Sequence, residues 1–281
     1  MRLPARPARM ITDTHCHLAS RQFEGERDAV VGRAQAAGVG RLVTLATGFD
    51  DLGENAGMAD RHPGVHACFA IHPCDVHTVP EGDDGWPGRL LESTRTRRAV
   101  AVGETGLDYY HPPPEGWDEE AFRARQRAFL RLHFEIAAAS GTNIVLHTRD
   151  RTGHRSLEDA LAVARDFRGR VRPLFHCFLG PWELAAPILA LDGLVGFGGI
   201  ATFPRAGAVH DAVRRAPAGC FLLESDSPYL APAPHRGKRN EPAFTALTAA
   251  HIAGLRGESV DQLAGHTNQA ADGFFRFGAS V

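Results

Sequence analysis

The chain has no apolar segment approaching the roughly 18–20 residues of a membrane helix; its apolar runs are short and broken by glycine, proline or charge. Residues 1–9 carry positive charge, but no apolar stretch of the signal-peptide kind follows them, so they are expected to be a flexible extension and not a secretory leader. Cysteine is sparse: five residues, scattered, with no C-x-x-C pair. That excludes a disulfide framework and a paired-thiolate zinc site, and leads to the expectation of a reduced, cytoplasmic setting. Charge of one sign is also missing. Thirty-one basic residues against 33 acidic ones leave a net charge of −2, which argues against coating nucleic acid through a broad basic face. Fixed-period repeats and low-complexity blocks are absent, and no linker divides the 281 residues.

What is present is an alternation of short apolar runs with longer helical patterns. The strand candidates are residues 10–13, 41–45, 65–71, 99–104, 143–147, 172–176, 194–198 and 221–226. Helical patterns fill the intervals, among them 24–37, which stops at Gly38, and 119–139, which starts after Asp118 and stops near Gly141. Eight β-then-α units predict a parallel sheet closed into a single TIM-type (β/α)8 barrel over residues 10–281, with an open doubly wound sheet as the poorer alternative.

The first run leads into T-H-C-H-L, in which His15 and His17 lie two apart. On a strand, residues i and i+2 share a face, so both imidazoles converge on one point. About one His-x-His pair is expected by chance from 15 histidines, so the pair alone decides little. The other runs end similarly: Glu104 follows strand 4, His147 strand 5, His176 strand 6 and Asp226 strand 8. Active sites of such barrels form at the C-terminal ends of the strands. The set is nitrogen and carboxylate without thiolate, which suits Zn²⁺, Mn²⁺, Fe²⁺ or Ni²⁺, with Mg²⁺ at a carboxylate-rich position. Six ligands exceed what one catalytic metal needs while keeping a position open for water. Two divalent metal ions are therefore expected, with His15, His17 and Asp226 on one, His147 and His176 on the other, and Glu104 between them. Cys16 and Cys177 each adjoin one of these histidines and, by strand alternation, are expected to face outwards as small buried apolar groups.

The motifs T-H-C-H-L, G-E-T-G-L-D-Y-Y, L-H-T-R-D, H-C-F-L-G, E-S-D-S-P-Y-L-A-P and R-G-K-R-N-E-P resemble, in order and across about residues 10–275, those of the TatD family of metal-dependent deoxyribonucleases. The resemblance implies a TIM barrel, a divalent-metal site and hydrolysis of phosphodiester bonds in DNA, often as a 3′-to-5′ exonuclease. It departs from the family in having Ser225 where threonine is usual and Leu179 where serine is usual, and the loop H-P-P-P-E-G-W-D could alter substrate entry. Asp226 is the expected general base. DNA is the expected partner, gripped locally through Arg236, Lys238 and Arg239 after strand 8, with Asn240 and Glu241 bracing that loop. His72 and Arg149 are further candidates for phosphate contact, and Asp108 and Asp150 for orienting the ligands from behind. Tyr229, with Tyr109, Tyr110 and Phe178, is a candidate for stacking on bases. No membrane contact is expected, and the chain is read as a monomer or small homo-oligomer. Competing readings are a phosphotriester, ester or amide hydrolase on the same frame, including a D-aminoacyl-tRNA deacylase, and a non-catalytic barrel. Glu104 stands where many small-molecule relatives carry a modified lysine, which favours the nuclease.

Overall fold

The computed structural model describes residues 8–95 and 99–278. Eight parallel strands form one sheet in sequence order: β1 (Ile11–Cys16), β2 (Val39–Leu45), β3 (Val65–Phe69), β4 (Ala99–Tyr109), β5 (Asn143–Asp150), β6 (Pro173–Phe175), β7 (Leu194–Phe197) and β8 (Phe221–Leu223). The helices between them are α1 (Arg27–Ala36), α2 (Phe49–Arg61), α3 (Trp86–Thr94), α4 (Glu119–Ser140), α5 (Arg155–Arg165), α6 (Ala185–Leu189) and α7 (Gly207–Arg215). Two more, α8 (Thr245–Arg256) and α9 (Val260–Phe275), follow the last strand. The ring closes between β1 and the segment beyond β8: Asp226 donates its N–H to the His15 carbonyl (2.9 Å), and His17 donates to that of Ser227 (2.8 Å). The open doubly wound alternative is thereby excluded.

Local chemistry fixes the helix ends. Asp118 caps α4 by accepting from the N–H groups of Glu120 and Ala121, and Gly141 ends it at φ +68°. Ser259 and Gln262 form a reciprocal cap on α9. Among the described residues no helix is long and apolar enough to cross a membrane. Of the expected N-terminal extension, residues 1–7 lie outside the described residues. Arg9 donates its backbone N–H to Asp261 (3.0 Å), against the start of α9.

Strand alternation positions the site. Val43, Leu45, Cys68, Ala101, Val145, Leu174, Leu194 and Leu222 form an apolar cluster, separate from the larger shell under the helices and floored by Phe274 and Phe275 of α9. Two residues further along the same faces come His147 after Val145, His176 after Leu174, and Glu224 then Asp226 after Leu222. Several expected strand limits are corrected, β3 stopping at Phe69, β6 at Phe175 and β5 running past His147 to Asp150 among them. β1 continues to Cys16, so His15 lies inside it. β4 runs to Tyr109, placing Glu104 mid-strand. β8 stops at Leu223, and Asp226 stands beyond it at φ +55°.

Candidate metal centre

Glu104 sits at the middle of the cluster, and its two oxygens face different partners. Oε2 lies 3.3 Å from Nε2 of both His15 and His17. Oε1 lies 2.9 Å from His176 Nε2 and 3.1 Å from His147 Nδ1. Asp226 Oδ1 stands on the first side, 3.8 and 3.7 Å from His15 and His17. The imidazole nitrogens also face each other within each pair, at 3.2 Å for His15–His17 and 3.3 Å for His147–His176. Close approach of β4 to β5 makes this possible: a Cβ on Gly106 would sit 2.0 Å from the His147 carbonyl oxygen, at a backbone φ of +140°.

The outer nitrogens fix which side carries the lone pairs. His17 donates Nδ1–H to the Leu45 carbonyl (3.2 Å), and His147 donates Nε2–H to Asp108 Oδ2 (2.9 Å). The inner nitrogens then point at Glu104; the carboxylates favour a proton there, as on His17, which a bound cation would displace. Converging lone pairs from four imidazoles and two carboxylates can be satisfied together by cations, whereas one proton satisfies one pair. The residues therefore fit divalent metal: His15, His17, Asp226 and Glu104 could hold one ion, and His147, His176 and Glu104 another.

The same contacts set the charges. Burial opposes ionisation of Glu104, but the imidazoles of His176, His15 and His72 hold its carboxyl well below the usual range. Burial likewise opposes ionisation of Asp226, and His17, His176 and His15 hold it low. Burial disfavours His17 as a cation, yet Asp226 and Glu104 push it up to about 10.

A cavity of about 920 Å³ opens above the cluster, lined among others by His72, Arg149, Tyr229, Arg236 and Lys238. His72 reaches the cluster, with Nε2 3.6 Å from Glu104 Oε1 and Nδ1 accepting from the Cys74 N–H. Burial pulls its imidazole down to about 3. Arg149 lies over the Tyr110 ring and Arg236 over Phe203. Asn240 ties the loop together through the Ser225 and Tyr229 carbonyls, while Glu241 pairs with Arg33 and Arg239.

Four expectations are corrected. Arg239 does not line the cavity: it ion-pairs with Glu26 and Glu241 and lies over Phe23. Asp150 contacts no metal-type ligand; both its oxygens cap α5 at Ser156. Cys177 lines the cavity instead of facing outwards, because β6 has ended at Phe175 and residue 177 turns to φ +47°. Tyr109 and Phe178 are buried away from the mouth, the Tyr109 hydroxyl donating to Asp159.

Sequence reasoning passed over two residues packed against the cluster. Asp13 accepts the Ser225 N–H (2.8 Å) and hydroxyl (2.6 Å), bracing β1 against the chain beyond β8, and burial raises it to about 7. Glu224 accepts the Cys177 N–H and stands 3.7 Å from His176 Nδ1. Both share strand parity with a ligand two residues on, the signal that would have flagged them.

A closed parallel barrel with this nitrogen–carboxylate cluster at the C-terminal ends of its strands defines the class of metal-dependent hydrolases built on a TIM barrel. The model of the family described as TatD related DNase matches residues 12–276. The Bacillus subtilis uncharacterized metal-dependent hydrolase YabD is 31% identical, over 95% of this chain and 99% of its own. The Escherichia coli protein YcfH, described in the same words, is 32% identical over 96% and 97%. The crystal structure of the E. coli TatD homologue YjjV superimposes with a TM-score of 0.81 at 25% identity, over 95% of this chain and 98% of that one. The chain belongs to the TatD-related DNase family and is a metal-dependent hydrolase.

Proposed function

We propose that this hydrolase cleaves phosphodiester bonds in DNA, trimming single-stranded ends in the 3′-to-5′ direction. The observation that carries the reading is Glu104, whose two oxygens divide between two imidazole pairs beneath a cavity bordered by Arg149, Arg236 and Lys238. His15, His17, Asp226, Glu104, His147 and His176 would hold two divalent cations, which would supply positive charge to the scissile phosphate and acidity to the attacking water. The chain's own groups do the rest. Asp226, ionised and beside His17, accepts the water proton as the oxygen adds to phosphorus and the ester oxygen departs. Asp108 fixes the His147 ring through its outer nitrogen. Arg149, Arg236 and Lys238 receive the phosphates on either side of the cleaved bond, and Tyr229, more than half exposed at the mouth, offers a ring face to a terminal base.

The test is a metal titration of purified apo-protein on end-labelled single-stranded DNA, with His15→Ala alongside. Metal-dependent shortening from the 3′ end by the wild type and not by the variant is expected. A chain that leaves DNA intact while hydrolysing a D-aminoacyl-tRNA ester or a model phosphotriester would overturn the reading in favour of another substrate on the same frame.

A further inference from the structure

Beside the six-residue cluster lies a second group of metal-type side chains, of which the chemistry above uses only Asp108, and that only to orient His147. Cys74 lies in the 3-10 turn after β3, Asp108 near the end of β4, and His111 three residues beyond Asp108. His111 Nδ1 stands 2.9 Å from Asp108 Oδ2 and 3.9 Å from Cys74 Sγ, and the three ligand atoms lie within 4.8 Å of one another. We propose that Cys74, Asp108 and His111 form a further cation site, selective for a borderline-soft divalent ion such as Zn²⁺, on the wall of the same cavity.

Three observations support it. Tetrahedral zinc with bonds of about 2.0–2.3 Å places its ligand atoms roughly 3.3–3.6 Å apart. The His111–Asp108 and His111–Cys74 separations, 2.9 and 3.9 Å, straddle that range, and with all three ligand atoms within 4.8 Å, side-chain adjustments of up to about an ångström would complete the geometry. Next, the ligand chemistry discriminates: a thiolate with one imidazole and one carboxylate suits zinc and disfavours Mg²⁺, which takes oxygen ligands. Last, the field there invites a cation. Burial and the carboxylates of Asp108, Asp75 and Glu104 hold the Cys74 thiol protonated, a cost that a cation drawn in by those same carboxylates has to offset as it displaces the proton. On ligation the thiol would release its proton to solvent.

The site is distinct from the central cluster yet joined to it. Asp108 Oδ2 faces His111 Nδ1 and also accepts from His147 Nε2, so an ion on Cys74 and His111 would share the carboxylate that orients a central ligand. His111 and Asp108 line the cavity, and the His111 side chain is 49% exposed, which gives an ion a way in.

Cobalt substitution tests this. The central cluster contains no thiolate, so cobalt bound there shows only the d–d bands of nitrogen and oxygen ligation. Cobalt on Cys74 adds a near-ultraviolet thiolate-to-metal charge-transfer band. The whole chain titrated with Co²⁺ should develop that band, Cys74→Ser should abolish it, and His111→Ala should weaken the affinity it reports at least tenfold. Cys177→Ser should leave it unchanged, although Cys177 also faces the cavity. Zn²⁺ added afterwards should quench the band before Mg²⁺ does. A wild-type chain showing d–d bands but no charge-transfer band overturns the site while leaving the central cluster standing. A band that survives Cys74→Ser, or disappears in Cys177→Ser, overturns it equally.

Discussion

Individual side chains in this protein act through the atom turned away from the cluster as much as through the atom turned towards it. His147 points one nitrogen at Glu104 because its other nitrogen is held by Asp108. Asp108→Asn is therefore expected to weaken metal binding at the central cluster roughly 10–100-fold while leaving its six ligands in place, as calorimetric Mn²⁺ titration would show. Asp226 differs, since its assigned role is proton transfer. Asp226→Asn should lower kcat by about 10²-fold or more with KM for DNA little changed, and single-turnover kinetics at full metal content would read the split. Near-normal turnover in that variant would remove Asp226 as the base.

The elements hold these atoms in place through close approaches. At Gly106 a methyl group would meet the His147 carbonyl oxygen at 2.0 Å. Gly106→Ala should push β4 from β5, destabilise the fold by about 2 kcal/mol or more in urea unfolding, and reduce metal content at the His147 side. Helix α4 docks through His133, whose Nε2 accepts the Ile71 N–H (3.1 Å) while its Nδ1 side faces the Phe129 carbonyl. Burial lowers the His133 imidazole from 6.5 to about 4. The unfolded chain thus takes up this proton first as pH falls. The stabilisation is complete above pH 6.5 and is lost between there and about 4, at a limiting slope of about 1.4 kcal/mol per pH unit. Denaturation measured from pH 7 to 4 should show a shallower pH dependence in His133→Gln than in the wild type.

At the scale of the whole molecule, the near balance of charge and the few cations at the cavity constrain how DNA, the proposed substrate, would be held. Arg149, Arg236 and Lys238 line the cavity, whereas Arg239 is engaged by Glu26 and Glu241. About three phosphate contacts on a single strand give a slope of roughly −2 in log K against log salt, so affinity should fall only about 20-fold across a fourfold rise in salt. Anisotropy of a labelled oligonucleotide on metal-loaded Asp226→Asn measures this. A much steeper slope would reveal more phosphate contacts than these three cations supply.

Much of the barrel and its centre was legible because both rest on local periodicities. Alternation of apolar runs with helical patterns gave eight strands, and the period of two put His15 with His17 and carried the inward face from Val145 to His147 and from Leu174 to His176. Less was legible where the strands end. Cys177 escaped the expected outward orientation because alternation stops with β6, and Asp150 became a helix cap because its donors, the Ser156 hydroxyl and N–H, come from the next element.

The sequence by itself determined the strand order, the inward parity and a ligand set of nitrogen and oxygen, since each depends on residue types at short spacings. Only the tertiary structure decided that the oxygens of Glu104 divide between two imidazole pairs, that Arg239 is spoken for by Glu26, and that Cys74 meets His111 beside Asp108. Those are encounters between separate elements, and they exist because closing the ring brings together side chains from elements that no short spacing in the sequence relates.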